Sequence, residues 1–502
     1  MKKWLALLLA VCMVFGTVSA MADQLFDKPV TISMMIRQHP TWPFQEDWPV
    51  VKYINEATNV TLDLQVVPQD GYNDKVSLIM ASQQLPDLMW VAGSSVVNQY
   101  APQGAFINIL DYIDQMPNFK KWYEANTDYA LGYLSSDGGL YLLPQMGVER
   151  SNRQGYLYRK DIFDELGIAV PTTKDEFYAA LKALKAAYPD SYPFVCRDFF
   201  DRLAYMSPAW GTSSYDLTDN RLCWWNEDSQ SWSFGPIEDN YKEMIAFYHQ
   251  LYEEGLMMPN TLSIDTKGWQ DAISNSDAFI TLDYMSRIDF FNVAMRESDP
   301  DFTMAYMAPA VMTEDGVDKI AYSPKDTLGF VVFSGTKHLD EVLAYADWLY
   351  SDEAYDLVSW GPEGEYYEVV DGQRKWKNFS TAAEMKQTTG FETEGMYLYY
   401  NFDAEFATFS EDVQNATTAA LPHETAKQPV LAFTEEEQKV FDTVGNNILN
   451  HVNEEVAKFI LGERDMSTWD AYVQEIKDLG LDQVLAIHES SYGRVLAVKN
   501  GN

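Results

Sequence analysis

The chain has 502 residues, enough for two or three domains and a sizeable core. Its 75 acidic and 36 basic residues give a formal charge of −39, which repels nucleic acid and anionic membrane and disfavours a polyanionic ligand unless a local basic pocket overrides the field. Aromatic residues make up 14% of the chain, and Trp alone occurs 14 times, which suits either a large aromatic core or a sugar-binding surface.

Lys2 and Lys3 precede an apolar run over residues 4–18, and small residues follow to Ala20-Met21-Ala22. A charged start, a short apolar stretch and an A-x-A site predict a signal peptide over 1–22, cut to leave Asp23 first. The run is short for a membrane span. Cys12 follows Leu9-Ala10-Val11, with Val where a lipid-attachment motif wants a small residue, so no lipid anchor is expected there. Cys196 and Cys223 remain after cleavage; the compartment permits a disulfide, and the residues leave their pairing open.

Residues 29–36 read as the first strand and run into Arg37-Gln38-His39-Pro40-Thr41-Trp42-Pro43. Ligands of α/β sheets sit beyond the carboxyl ends of strands, so Gln38, His39 and Trp42 are candidate contacts. Residues 50–57 predict a helix and 60–67 an alternating strand. Val76, Ile79 and Met80 share one helical face within 73–83, Pro86 ends that helix, and 87–91 is an apolar strand. This β-α-β order predicts a right-handed parallel unit, with Ser94 and Ser95 at its strand end as further candidates.

Residues 137–188 then give strand, turn, strand, helix, turn, helix. Gly138-Gly139 marks a turn before the short strand 140–143, and 155–159 is a second strand. Gly167 stands where a left-handed cap closes the helix 162–166, and Thr173 and Glu176 have capping-box spacing. Trp210, between Ala209 and Gly211, lacks bulky neighbours in sequence and is a candidate contact. Residues 221–234 predict a hairpin around Glu227-Asp228-Ser229, and 241–252 an amphipathic helix. The strand 278–282 ends in Asp283-Tyr284-Met285-Ser286-Arg287, where Asp283 can accept from hydroxyls, Tyr284 can stack and Arg287 can donate. Val342, Ala346 and Leu349 mark a helix over 339–350. In Trp360-Gly361-Pro362-Glu363-Gly364 two glycines allow close backbone approach, making Trp360 and Glu363 candidates. Helices are expected within 401–415 and 435–461, and a last one up to Leu479, before Gly480.

Several of these stretches together resemble a family. "GLYLLP" with "YLYRKDIFDELGIAVPTTKDEFYAALKALK", "YNDKVSLIMASQQLPDL", "GFVVFSGTKHLDEVLAYADWLYSDEAYDLVSWGPEGEYYEV" and "TWDAYVQEIKDLGLDQVLAIHESSYGRV" look like the extracellular solute-binding proteins, family 1. These are the binding subunits of ABC importers, and the closest look is to a long branch that includes lipoproteins and alginate-oligosaccharide binders. Residues 189–262 and 370–430 carry the likeness least. The resemblance implies an α/β, two-lobed, periplasmic-binding-protein-like fold, each lobe a sheet flanked by helices, with a ligand cleft between lobes. It implies an N-terminal lobe of 23–147 and 305–352, a C-terminal lobe of 148–304 and 353–502, and chain crossings near 145–150, 300–310 and 350–360. It implies an extracellular or cell-surface monomer that captures an oligosaccharide and delivers it to ABC permease subunits, with no nucleic acid partner.

No HExxH, GxSxG, Walker A or GxGxxG stretch is present, and the six histidines are not at metal-ligand spacing. No D-x-D-x-D-G loop is present either, so the calcium of the alginate-binding relatives is not carried over. No catalytic residue, cofactor or metal is expected. Three other readings stay open: a peptide or other solute on the same fold, a secreted carbohydrate-active enzyme, since 75 acidic residues offer many carboxylate pairs, and a secreted adhesion or scaffold protein.

Overall fold

A computed structural model describes residues 24–82, 85–147, 153–214, 222–227, 229–322, 328–393 and 395–499. The signal peptide expected over 1–22, with Cys12, lies outside them. In chain order the strands are β1 (Val30–Gln38), β2 (Val60–Pro68), β3 (Leu88–Ala92), β4 (Leu143–Pro144), β5 (Gln154–Arg159), β6 (Trp224–Asn226), β7 (Ser231–Ser233), β8 (Ile280–Tyr284), β9 (Met304–Met307), β10 (Leu328–Val332), β11 (Tyr367–Val370) and β12 (Gln373–Trp376).

The first sheet has the order β2-β1-β3-β10-β4. β1 pairs in parallel with β2 from Val30↔Val60 to Gln38↔Pro68, and with β3 on its other side. Helices Pro49–Thr58 and Tyr72–Ser82 make the two crossovers. Pro49 stands in the first helical turn, where a missing N–H costs nothing, and Asn59 leaves the helix in the left-handed conformation. β2 alternates between covered and open positions, as an edge strand does, whereas β10, between β3 and β4, is buried throughout. The second sheet is small and antiparallel, order β8-β5-β9, with the fully buried β5 at its centre. β6–β7 and β11–β12 are separate hairpins.

Two main hydrophobic cores follow. The first gathers Ile32, Trp90, Phe119, Leu143, Phe330 and Tyr345 around the five-stranded sheet. The second gathers Tyr156, Leu181, Trp210, Tyr248, Phe459 and Tyr472, and helices Lys174–Ala187, Asp239–Glu253 and Asn446–Leu461 supply much of it. Cys196 and Cys223 are both buried and unpaired. Burial pushes the Cys196 thiol up to about 12.

The tail is partitioned differently from the expectation. Val358, Met385, Phe391 and the run Met396–Tyr400 belong to the first core, because Trp48 and Tyr53 of its first helix need partners. The Trp48 indole donates to the Gln387 carbonyl, and the Tyr53 hydroxyl reaches Glu365. Phe302, Met307, Met312 and Ile320 belong with the second sheet, so the chain does not cross between cores at 300–310 or 350–360. It belongs to the first core up to Met146, is back in it at Leu328, and is out of it again past Tyr400, which makes three crossings. The first and last of these crossings run side by side. Met146 donates its amide to the Leu398 carbonyl at 2.7 Å, and Tyr400 donates back to Met146 at 3.2 Å. A Cβ on Gly147 would stand 2.2 Å from the Tyr400 carbonyl oxygen, so only glycine lets these strands pass.

Candidate functional site

Two strand ends gather the polar and aromatic groups of interest. The first lies past β1. His39 stacks flat on Trp42, ring centres 3.8 Å apart, and Lys386 places its ammonium 5.1 Å from the centre of the Trp42 ring. Lys386 is buried and pairs with Glu405 at 3.2 Å. Arg37 lies over the Trp90 ring at 4.2 Å. Arg37, Gln38, His39 and Trp42 line a small recess with Thr393 and Met396, which arrive from 351 residues or more down the chain. Glu392, next to that recess in sequence, is buried in a left-handed conformation, and neither carboxylate oxygen has a hydrogen-bond partner among the described residues. Burial, then the charge of Glu405, raises its carboxyl well above the usual range, so it holds a proton. Ser94 and Ser95 sit past β3, half-buried and exposed, at the start of helix Ser95–Tyr100.

The second locus is the end of β8. Asp283 is fully buried there, and three arginines converge on it. Arg197 grips it with Nε and Nη2 at 2.7 and 3.0 Å, Arg202 approaches at 3.5 Å, and Arg287 donates through Nε at 3.3 Å. Burial pushes the Asp283 carboxyl up, but the Arg197 hydrogen bonds and the three positive charges outweigh it and hold it ionised. All three guanidinium carbons lie 5.8–6.0 Å from the Tyr284 ring centre. Arg197 and Arg202 reach this corner because Asp198 takes a left-handed turn, φ 50°, into helix Phe199–Met206. Closer to the crossings, Arg153 and Glu424 form a two-pronged pair at 2.6 and 3.1 Å.

The candidates from sequence separate in space. Gln38, His39 and Trp42 come together past β1, and Asp283, Tyr284 and Arg287 past β8. Asp283 is a correction in role: its oxygens are committed to arginines and to the Tyr284 amide, so it is a counter-ion and not an acceptor for hydroxyls. Trp210 is a correction in place. It has no exposed surface and packs on Phe247 and Tyr248, bulk supplied by a helix that starts 29 residues later. Trp360 is likewise buried, stacked on Trp376 at 4.6 Å beneath β11–β12. Gly361 serves that packing, since a Cβ there would meet the Phe391 ring at 2.4 Å, and Glu363 faces solvent in the adjoining turn. Arg197, Arg202, Lys386 and Glu392 escaped the sequence reading. The scarcity of basic residues in so acidic a chain was the available signal for the two arginines.

Surface groups also meet between the segments that surround the two cores. Lys427 lies over the Tyr129 ring at 4.9 Å, Lys499 pairs with Asp128 at 2.8 Å, and helix Glu435–Val440 packs near helix Ser95–Tyr100.

Comparison with known proteins agrees with this architecture. The family model described as bacterial extracellular solute-binding protein matches residues 44–356. Lipoprotein LipO of Bacillus subtilis is 24% identical over 96% of this chain and 97% of its own length. The polygalacturonan/rhamnogalacturonan-binding protein YtcQ of the same organism is 22% identical over 98% and 99%. The crystal structure of the ABC-transporter substrate-binding protein FusA of S. pneumoniae with kestose superposes with a TM-score of 0.73, at 20% identity, over 93% of this chain and all of that one.

Proposed function

The chain belongs to the bacterial extracellular solute-binding proteins, and from that membership we propose that it captures an oligosaccharide outside the cell and delivers it to the membrane subunits of an ABC importer. The observation that carries the reading is the near full-length match to proteins named for binding glycans, YtcQ and the kestose-bound FusA among them. The local geometry supports it. Two cores are joined by crossings that run side by side at 145–147 and 397–400, an arrangement suited to hinge closure around a solute. Closure would bring together the two strand ends. We assign ligand contact to Gln38, His39, Trp42, Ser94, Ser95, Tyr284 and Arg287: rings stack on apolar sugar faces, and planar polar groups bond hydroxyls. We read the chain as non-catalytic, monomeric and without lipid at Cys12.

The test is thermal unfolding of the mature protein with a panel of oligosaccharides and peptides, the mixtures then run on a chromatograph. A ligand held only by the native state raises the midpoint by mass action, worth about 2.7 kcal/mol at a hundred times Kd. The expected result is a rise with one glycan class and no new products. Products would make the protein an enzyme, and a rise with peptides alone would overturn the cargo.

A further inference from the structure

We propose that the arginine corner at the end of β8 is an anion subsite that takes the carboxylate of an acidic saccharide. This rests on the solute-capture reading above and narrows its cargo. Three guanidinium groups surround the one buried carboxylate of Asp283, and the next acid, Asp198, stands 3.8 Å from both Arg197 and Arg202. Three cations against two anions leave a surplus positive charge, in a chain with twice as many acids as bases. One carboxylate satisfies one bidentate arginine, so Asp283 alone does not explain the other two. Burying surplus guanidinium without a partner is costly.

The unfilled hydrogen-bond capacity is specific. Arg202 is 4% exposed, and its Nε has no hydrogen-bond partner among the described residues. Gln154, register-paired with Tyr284 on the neighbouring strand, is 1% exposed with its side-chain carbonyl oxygen equally unpartnered. Arg287, whose side chain is 26% exposed, spends only Nε on Asp283, and no hydrogen bond from its two terminal nitrogens occurs among the described residues. A free guanidinium edge at a part-open corner is matched in shape and charge to a planar carboxylate. The left-handed backbone at Asp198, a conformation that costs a non-glycine residue stability, turns the chain into this corner. The high acidity of the chain argues against an anionic ligand except where positive charge is concentrated locally, and these three arginines concentrate it.

The test is titration calorimetry of the mature protein with pooled digests of pectin, alginate and glucuronoxylan, with the same pools after chemical reduction of their carboxyl groups, and with oligoglutamate peptides. Arg287→Gln is the variant; Asp283 keeps Arg197, so the fold is retained, and the ligand-free melting temperature verifies it. Arg287→Lys, which keeps charge but loses the fork, is the second variant. The expected result is binding of an acidic pool, little or none of its reduced counterpart, and affinity about 10- to 100-fold weaker in Arg287→Gln, the scale of one hydrogen bond to a charged group. Equal binding of native and reduced pools overturns the subsite while leaving glycan capture standing. So does acidic binding that neither variant weakens. Binding of oligoglutamate alone keeps the carboxylate subsite and removes the saccharide. Binding of nothing in the panel overturns the subsite.

Discussion

Glu392 shows what a single residue can carry. Its buried carboxyl is held protonated by burial and by the nearby Glu405 charge. The native state therefore keeps a proton that the unfolded chain releases at ordinary carboxylate pH. Its contribution to stability is full below that range and is lost as pH rises toward the raised value. Glu392→Gln, the neutral isostere, is expected to flatten the fall of melting temperature between pH 5 and 8 and to melt a few degrees above the wild type at the upper end; identical slopes would sink the argument. Asp283 has the opposite sign, ionised by its arginines and losing stability in acid. Asp283, Tyr284 and Arg287 do stand at the end of β8, as expected, because a strand end is legible. Sequence reading misjudged Trp210 and Trp360 because a tryptophan's neighbours in space come from elements distant in the chain. It missed Glu392 because nothing in "GFETEG" signals burial.

At the scale of elements, local pattern was a good guide. β1, β2, β3, β5 and β8 and the helices Pro49–Thr58, Tyr72–Ser82 and Asp239–Glu253 fall within about two residues of where periodicity and breakers put them. Gly167 does take the left-handed cap, φ 66°. Thr173 accepts from the Glu176 amide, but the Glu176 side chain reaches back to Thr172, one residue off the expected box. The final helix, Leu481–Lys499, was not foreseen. Gly480 reads as a terminator, yet it joins two helices, and Leu481, Val484, Ile487, His488, Ser491 and Val495 give only a narrow buried seam. The two later crossings escaped for a different reason: which strands exchange cores is a property of pairing between distant segments. Gly147 tests that pairing. Gly147→Ala forces a Cβ onto the Tyr400 carbonyl at a left-handed position and is expected to cost about 1–3 kcal/mol, read by denaturant unfolding. Gly335→Ala, with nothing within 4 Å, is the control and should be near neutral. Equal stabilities would mean that the two crossings do not press together.

Both cores of the whole molecule are assembled from segments far apart in sequence. The family resemblance made two lobes readable, while the return of residues 354–400 to the first core was not. That return has an energetic reason. Phe391, Tyr397 and Leu398 are fully buried against the first sheet's surroundings, and leaving them out would expose several large side chains at roughly 1.5–3 kcal/mol each. A fragment ending at Tyr322 lacks β10 from the first sheet and helices Asn446–Leu461 and Trp469–Asp478 from the second core. It is expected to show no cooperative melt by near-ultraviolet dichroism. A sharp transition in the fragment would show that one core closes without its late segments.

β10 has a consequence beyond stability. It is among the later strands to be synthesised, yet it lies inside the first sheet, between β3 and β4. Until residue 332 has left the ribosome, β3 has no neighbour on that side and the sheet stays in two pieces. Long-range pairing of this kind forms slowly. For a member of an extracellular family the delay has a consequence: a polypeptide that has not yet knitted its sheet is still a thread, and a thread is the form that a narrow membrane channel can pass.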